Sequence, residues 1–218
     1  MKIGLFGGTF NPLHNGHMKI IDFVKKEYKL KKIYLIPCAL PPHKACTNLA
    51  SSKDRFEMVK RAIKSLKGFE ACDKEIERTG KSFTIDTIND FKKEYKGQAD
   101  FYLVMGSDAF LDITTWKNKD EIFDQVKTII MLRKSKHIKK ISCFIHANIS
   151  KDYRFEDKVF YHDTKQRIII CAVPKIDISS TIIREKIKNN ESIKKLVPKS
   201  IKKIIKKKEL YKWQSPLP

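Results

Sequence analysis

The sequence predicts an α/β fold: a doubly wound (Rossmann-like) parallel sheet with helices on both faces and a C-terminal helical extension. Short apolar runs with the length of buried strands alternate with segments whose apolar residues recur every three or four positions, which is the period of a helix. Glycine or proline directly follows several of these runs and marks their ends. Strands separated by helices pair in parallel through right-handed crossovers, so ligands are expected at the carboxyl ends of the strands.

The apolar runs define the expected strands, and helical spacing defines the segments between them. The expected strands are residues 2–6, 32–36, a part of 69–77, 100–105, 127–132 and 167–173. Helices are expected from Asn15, after Ser51, from Thr84, from Glu121 and after residues 177–181. In the second helix the expected buried stripe is Phe56, Val59, Ile63 and Leu66. The polar segment 134–166 is expected to be an inserted excursion with an extra strand near residues 141–146.

The chain is expected to form a single domain over residues 1–218, with an α/β core at 1–185 and basic C-terminal helices at 186–213. The tail from Lys186 to Trp213 holds eleven lysines and two glutamates. Its apolar residues keep helical spacing, so we expect two amphipathic helices with a solvated lysine face. Contact with nucleic acid or a membrane is the alternative for this tail.

Composition bounds the class of protein. Hydrophobic residues make up 41% of the 218 residues, enough for a sizeable core. The net charge of +21 predicts attraction to polyanions: small phosphate-bearing molecules, nucleic acid or an anionic membrane. Five scattered cysteines without a Cys-x-x-Cys pair indicate reduced thiols in a cytosol-like compartment. No signal peptide or membrane-spanning run is expected, so the predicted location is cytoplasmic, and a homo-oligomer is compatible with the sequence.

The stretch GGTFNPLHNGH, residues 7–17, concentrates the unusual chemistry of the chain. His14 and His17 fit a metal site, a pair of structural histidines or a phosphate site. A strand that leads through a glycine turn into a helix favours the phosphate site, because helix N–H groups and the helix dipole attract anions. Gly16 leaves room for a close approach, and imidazoles add donors. Neither a dinucleotide fingerprint nor a P-loop is present.

Residues 7–17 resemble the His-x-Gly-His motif of the nucleotidylyltransferase superfamily. Four further stretches resemble the nicotinate mononucleotide adenylyltransferases within it, in that family's order. They are PCALPPHK (37–44), RTGKSFTIDT (78–87), MGSDAF (105–110) followed by Trp116, and ISSTIIR (178–184). The resemblance implies a Rossmann-like enzyme that joins ATP to nicotinate mononucleotide and releases pyrophosphate and deamido-NAD. We expect Mg²⁺ to arrive with ATP and to be held mainly by phosphate and water, because ATP carries clustered negative charge and the predicted site shows no obvious carboxylate pair that would bind a metal alone.

The resemblance implies three groups of site residues. The catalytic residues would be His14, His17 and Arg184, which stabilise charge on the phosphates. The ATP-binding residues would be Gly7, Gly8, Gly16, Gly106, Asp108, Ser179, Ser180 and Thr181. The mononucleotide-binding residues would be Thr9, Phe10, Lys44, Phe83, Thr84 and Trp116.

Ordinary structural roles compete with several of these assignments. Ser179 and either Ser107 or Asp108 could be helix N-caps, and Trp116 could serve packing alone. Arg55 is a weaker site candidate. The chain departs from the family's pattern at Phe83, where tyrosine is common, and at residues 133–135, where RKS replaces Arg-Pro-Gly.

Two alternatives to the function stay open at this point. The same fold could act on nicotinamide mononucleotide, or on both mononucleotides, although Thr84 at a helix start offers backbone donors that suit the carboxylate of the acid. Asp86 counts against the acid, because its charge repels a carboxylate. The chain could instead be a basic nucleic-acid-binding protein, which the charge alone suggests.

Overall fold

The computed structural model describes residues 1–40, 49–78, 80–132 and 138–212. The strands of this part are β1 (Lys2–Gly8), β2 (Lys32–Pro37), β3 (Phe69–Ala71), β4 (Asp100–Gly106), β5 (Lys127–Leu132), β6 (Arg154–Glu156), β7 (Val159–Tyr161) and β8 (Ile168–Ala172). They form one sheet in the order β3-β2-β1-β4-β5-β8-β7-β6. β1 with β4, β4 with β5, and β5 with β8 pair in parallel, whereas β6 and β7 are antiparallel. The predicted Rossmann-like α/β fold is confirmed.

Helices and one 3₁₀ turn connect the strands. They are α1 (Asn15–Glu27), α2 (Ser52–Ile63), α3 (Lys74–Glu77), α4 (Thr84–Tyr95), α5 (Ser107–Leu111), the 3₁₀ turn Ile113–Thr115, α6 (Lys119–Gln125), α7 (Ile138–Asn148), α8 (Ser180–Lys188) and α9 (Lys199–Lys207). Each of the five predicted helix starts lies within two residues of an observed one. None of the described helices is long and apolar enough to cross a membrane.

The strand order changes direction where β1 meets β4. Ile3 lies opposite Phe101 and Leu5 opposite Leu103, so the two strands run in parallel and end at the same edge. Open α/β sheets bind ligands in the crevice at such a switch point, beyond the carboxyl ends of the strands. Gly7 and Gly106 lie at these ends. Their role in ATP binding stays a prediction.

The prediction of a strand near residues 141–146 is wrong, because this segment belongs to α7. Ile141 and Ile145 are the buried residues of α7, and their spacing of four is helical. A short apolar run of this kind does not distinguish a buried strand from a helix. The extra strands of the insertion are β6 and β7, which form a hairpin further along the chain.

Two expectations about apolar stripes also need correction. α2 ends at Ile63, so Leu66 lies outside it and is 41% exposed. The buried face of α2 includes Arg55 and Met58 instead. In the tail, α9 is the one regular helix described between residues 189 and 212, because the segment from Asn189 to Pro198 forms turns. α8 is ended by a Schellman-type turn, in which Asn190 has a φ of 56° and the N–H of Glu191 donates to the carbonyl of Lys186 at 2.7 Å.

The chain divides into two compact units. The first comprises Met1–Gly7, Phe23–Tyr34 and Phe83–Lys175, and the second comprises Gly8–Asp22, Leu35–Ser82 and Ile176–Pro218. In the first unit the aromatic ring of Phe91 packs on the rings of Tyr34 and Phe101, with centroid separations of 4.7 Å and 5.9 Å. In the second unit α9 packs on α2, with Ile201 fully buried. The prediction of one domain over residues 1–218 stays a prediction.

Candidate active site

A pair of histidines caps helix α1 in the second unit. His14 precedes α1, and its ring Nδ1 accepts a hydrogen bond from the backbone N–H of His17 at 3.2 Å. The Nδ1 of His17 accepts in return from the backbone N–H of His14 at 3.3 Å. This reciprocal pattern is that of a capping box, with two imidazoles in place of the usual hydroxyl and carboxylate. The three-residue spacing of the histidines is therefore the spacing that the cap requires.

The cap determines which ring nitrogen is a donor. Because each Nδ1 accepts a backbone N–H, a neutral ring carries its proton on Nε2. The two rings stack with their centroids 3.6 Å apart and their planes inclined by 23°. His14 is buried and His17 is half-buried. The turn therefore holds two parallel imidazoles, both in the tautomer that donates through Nε2.

The backbone at the start of α1 offers fewer N–H donors for an anion than the sequence predicted. The prediction counted on free N–H groups there, but the N–H of Asn15 donates to the carbonyl of Leu196 at 2.8 Å. The N–H of His17 is used by the histidine pair. The imidazoles, rather than these two backbone groups, are the donors that the turn can direct at an anion.

Two glycines make room for the rings of this turn. A Cβ on Gly16 would lie 2.9 Å from Nδ1 of His14, and a Cβ on Gly8 would lie 3.0 Å from the ring of Phe10. The Phe10 ring meets His17 edge-on, with the centroids 5.5 Å apart. Phe10 itself has a φ of 47°, a left-handed conformation that is uncommon for an aromatic residue. Gly8 and Gly16 thus permit the packing that orients the histidines.

Arg184 is anchored to the same turn by α8. Its Nη1 donates to the carbonyl of Asn11 at 2.8 Å, and its Nη2 donates to Oγ1 of Thr181 at 3.3 Å. Ser180 donates its hydroxyl to the carbonyl of Pro12 at 2.9 Å. Ser179 is the N-cap of α8, since its Oγ accepts from the N–H of Ile182. Ser179 therefore has the helix N-cap role that the sequence offered as the alternative to ATP binding.

The three hydroxyls of the predicted ATP-binding segment 179–181 each have a partner within the protein. They brace the 9–12 turn and the start of α8, and they leave the guanidinium of Arg184 beside that turn. An ATP-binding role for Ser179, Ser180 and Thr181 stays a prediction.

Sequence reasoning underrated Arg55. This side chain is fully buried and donates to four backbone carbonyls at 2.7–3.0 Å. The four carbonyls belong to Thr9, Cys38, Ala39 and Ala50. Arg55 therefore ties the end of β2 and the entry to α2 to the turn that carries the histidines. No sequence signal distinguishes such a buried arginine from an exposed one on a basic helix.

Sequence reasoning did not single out Asn11 as a residue of the site. Its side-chain Oδ1 accepts from the N–H of Ala50 at 3.1 Å, and its carbonyl accepts from Arg184. Asn11 is buried, so both of these contacts fix the turn from inside. In the sequence Asn11 lies between the Gly7-Gly8 pair and the two histidines, and this position was the signal that could have identified it.

The predicted residues of the first unit lie on two elements. Gly106 ends β4 and is the N-cap of α5, and Asp108 lies exposed in the first turn of α5. No side chain caps α5 among the described residues. The alternative that Ser107 or Asp108 is an N-cap is therefore wrong. The Asp108 carboxylate stays a candidate acceptor for ribose hydroxyls.

Phe83, Thr84 and Trp116 lie at the start of α4 and after the 3₁₀ turn. Phe83 is the N-cap residue of α4 and makes no side-chain cap hydrogen bond among the described residues. Lys117 lies with its Nζ 4.9 Å from the centroid of the Phe83 ring and 3.1 Å from a carboxylate oxygen of Asp86. This ion pair offsets part of the Asp86 charge that would oppose an anionic ligand at this helix start. Trp116 is half-buried.

Lys44 of the predicted mononucleotide site lies outside the described residues, and so does the segment 133–135, where the chain departs from the family's pattern. Within the described residues, no group of three or more His, Cys, Asp or Glu side chains is placed to hold a metal ion.

The candidate site in the second unit offers hydrogen-bond donors and cationic groups rather than a nucleophile, and these groups are His14, His17 and Arg184. The Sγ of Cys38 lies 3.8 Å from Oγ1 of Thr9, in the turn that leads to the histidines. Burial raises the pKa of this thiol above its ordinary value, although Arg55 and Thr9 act in the opposite direction. Two imidazoles and a guanidinium can stabilise negative charge that develops on phosphate oxygens.

Comparison with known proteins gives the class of this fold and site. The model of the cytidylyltransferase-like family matches residues 5–186. A Clostridium tetani protein named "Probable nicotinate-nucleotide adenylyltransferase" is 39% identical over 97% of this chain and 99% of its own length. A Thermoanaerobacter protein of the same name is 35% identical over 97% of this chain and 95% of its own length. The chain belongs to the cytidylyltransferase-like family and, within it, to the nicotinate-nucleotide adenylyltransferases.

A solved structure agrees on the fold. The Plasmodium falciparum nicotinic acid mononucleotide adenylyltransferase complexed with NaAD aligns with a TM-score of 0.72 over 96% of this chain and 97% of its own. Its sequence identity to this chain is 20%, so this match bears on the fold alone.

Proposed function

We propose that this chain transfers AMP from ATP to nicotinate mononucleotide, giving deamido-NAD and pyrophosphate in the biosynthesis of NAD. Membership of the nicotinate-nucleotide adenylyltransferases supports the substrates. The single geometric observation that supports the chemistry is the reciprocal histidine cap, which fixes two Nε2 donors beside the arginine-braced turn. A site of this kind suits phosphoryl and nucleotidyl transfer, where the protein mainly positions reactants and stabilises charge.

The reaction needs no nucleophile from the protein. A phosphate oxygen of the mononucleotide attacks the α-phosphorus of ATP and forms a new P–O bond. The bond from the α-phosphorus to the bridging oxygen breaks, and pyrophosphate leaves with the electron pair. His17, with His14, donates to the phosphate oxygens as charge develops, and Arg184 holds the triphosphate. These roles are proposals that rest on the donor set and its orientation.

The remaining predicted residues take supporting roles. Gly106 and Asp108 bind the adenosine part of ATP, with the carboxylate accepting from the ribose hydroxyls. Phe83, Thr84 and Trp116 bind the pyridine part of the mononucleotide, where Trp116 stacks on the cationic ring. Thr9, Phe10 and Lys44 bind the mononucleotide, and Gly7, Gly8 and Gly16 bind ATP.

Mg²⁺ belongs to the nucleotide in this proposal. The phosphate oxygens of ATP are hard ligands of the type that Mg²⁺ prefers, and Mg²⁺ keeps several waters when it binds through phosphates. The ion therefore enters as Mg–ATP and reduces the charge that the histidines and Arg184 must offset.

A cytoplasmic location is part of the proposal. The described cysteines Cys38, Cys72, Cys143 and Cys171 are free thiols, as a reducing compartment keeps them.

The test is a product assay with both products measured. The protein is incubated with Mg–ATP and nicotinate mononucleotide, and deamido-NAD and pyrophosphate are quantified against time. The proposal predicts equal amounts of the two products, and no products when excess EDTA is present. Pyrophosphate release without deamido-NAD, or no release at all from folded protein, would contradict it.

A further inference from the structure

A groove between α2 and α9, within the second unit, has cationic walls. Its volume is about 540 Å³. Lys199, Lys203 and Lys207 of α9 line one wall, and Arg61 of α2 lines the other together with Glu57. The three lysines, called the lysine row below, are spaced by four residues, so they follow one side of the helix at intervals of about 6 Å along its axis. A continuous row of positive charge therefore runs along the groove.

The protein's own carboxylates do not neutralise the lysine row. Within the part of the chain that the structure describes, none of its three residues forms an ion pair, whereas Arg61 pairs with Glu57 and Lys208 pairs with Asp54. Like charges four residues apart on a helix repel each other. Lys199 also lies in the first turn of α9, which holds no acidic residue, and a cation there opposes the helix dipole. The lysine row is therefore unfavourable for the isolated helix, and an external anion would offset this repulsion.

The packing of α9 favours a chain-like polyanion over a membrane as the partner. Ile201, Ile204 and Ile205, the apolar residues of α9, are buried in the fold. A helix that lies on a membrane inserts its apolar face into the bilayer, and this face of α9 is already covered. In addition, the lysine row lines a concave groove, whereas a bilayer presents a flat surface on this scale. A flexible chain of phosphates can follow the groove and contact successive lysines.

We infer that the groove binds the phosphate backbone of single-stranded nucleic acid, through residues that the proposed reaction does not use. Lysine ammonium groups are point charges that neutralise phosphates and carry no information about base sequence. The described residues that line the groove include no aromatic ring on which a base could stack. Binding should therefore be independent of base sequence and strongly dependent on salt.

The test is fluorescence anisotropy with a labelled single strand of about 12 nucleotides, a length within the range that single-strand-binding domains cover. Three phosphate contacts predict that the logarithm of the association constant falls with the logarithm of salt concentration with a slope of about −2. The double variant Lys203→Gln, Lys207→Gln should reduce this slope to about −0.7 and weaken binding by about 10-fold or more at about 50 mM salt. Its melting temperature should not fall, because both side chains are exposed.

The matched control is the double variant Lys202→Gln, Lys206→Gln. These two lysines have the same spacing on the same helix and are exposed, but they do not line the groove. The control removes the same charge and should keep the affinity and the salt slope of the wild type.

Equal weakening by both double variants, or weakening by neither, would overturn the inference. Displacement of the strand by Mg–ATP would also overturn it, since the strand would then occupy the nucleotide site. Binding to vesicles of anionic phospholipid without binding to the strand would do the same. The assay contains no mononucleotide and needs no turnover, so a failure of the proposed reaction would be seen separately.

Discussion

His14 and His17 each accept a backbone hydrogen bond and carry an imidazole donor within one turn of chain. The two functions are linked, since the cap fixes the tautomer. A substitution that keeps the helix cap but removes the imidazole distinguishes the capping function from the donor function. Glutamine does so at the position of His17, because its side-chain oxygen is the usual acceptor of a capping box at that position.

His17→Gln should therefore leave stability near that of the wild type and lower kcat by about 10² to 10³, the range seen when one donor to a developing negative charge is removed. His17→Ala should lower kcat similarly and lose the cap as well, which typically costs about 1 kcal/mol of stability. Steady-state kinetics and urea denaturation of the two variants measure both effects. Near-normal turnover in His17→Gln would contradict the donor role.

Arg55 offers a second prediction for a single side chain. Arg55→Met removes the donors to four carbonyls and should lower the free energy of unfolding by about 3 kcal/mol or more, since each buried acceptor left unpaired costs about 1–3 kcal/mol. Arg61→Met is the control on the same helix. Arg61 is 62% exposed and pairs with Glu57, so this change should cost about 1 kcal/mol or less. Similar losses in both variants would contradict the assigned role of Arg55.

Single elements show what the sequence can predict. The helix over residues 84–95 could be predicted because its apolar residues repeat with one period. The run at 141–146 could not be assigned, because an apolar segment of that length fits either a strand or a helix. The histidine cap and the buried Arg55 could not be predicted, because both depend on backbone groups that only the folded chain brings near.

The tail helix α9 should contribute stability through its apolar face. Ile201→Ser places a hydroxyl at a fully buried position and should lower the free energy of unfolding by about 3–5 kcal/mol. Lys202→Ser, on the exposed face of the same helix, should change it by about 0.5 kcal/mol or less. Urea denaturation of both variants tests this. A small loss for Ile201→Ser would show that the helix does not depend on this face.

The contact of α9 with α2 should be sensitive to pH. Burial alone would raise the pKa of Asp54, but hydrogen bonds from Lys208 and Ser51 and the charge of Lys208 bring it below its usual value. A carboxylate with a lowered pKa stabilises the fold above its unfolded pKa of about 3.9, and this stabilisation is lost as the pH falls through the folded pKa.

Lys208→Met should accordingly reduce the loss of stability on acidification from about pH 6 to about pH 3. Lys207→Met is the control, since Lys207 lies in the last turn of the same helix and is exposed. Free energies of unfolding measured across this range give the slopes. If both variants show the wild-type slope, the ion pair does not stabilise the fold.

The whole molecule combines a fold that the sequence predicts well with a site whose local geometry it predicts only in part. Motifs in order along the chain indicated the family, and the family model spans residues 5–186. The net charge of +21 did not indicate the function, because a charge total carries no geometry. The structure gives part of that charge a role at the start of α4, where Lys117 pairs with Asp86 and lies over Phe83.

The central claim is adenylyl transfer to the acid mononucleotide, and the ratio of kcat/KM for nicotinate and nicotinamide mononucleotide at saturating Mg–ATP tests it most directly. At the start of α4 a carboxylate can accept from backbone donors that a carboxamide NH₂ leaves unpaired, at about 1–3 kcal/mol for each. Two such losses predict a preference of about 10² to 10³ for the acid. Equal values, a preference for the amide, or no turnover of either mononucleotide would contradict the account.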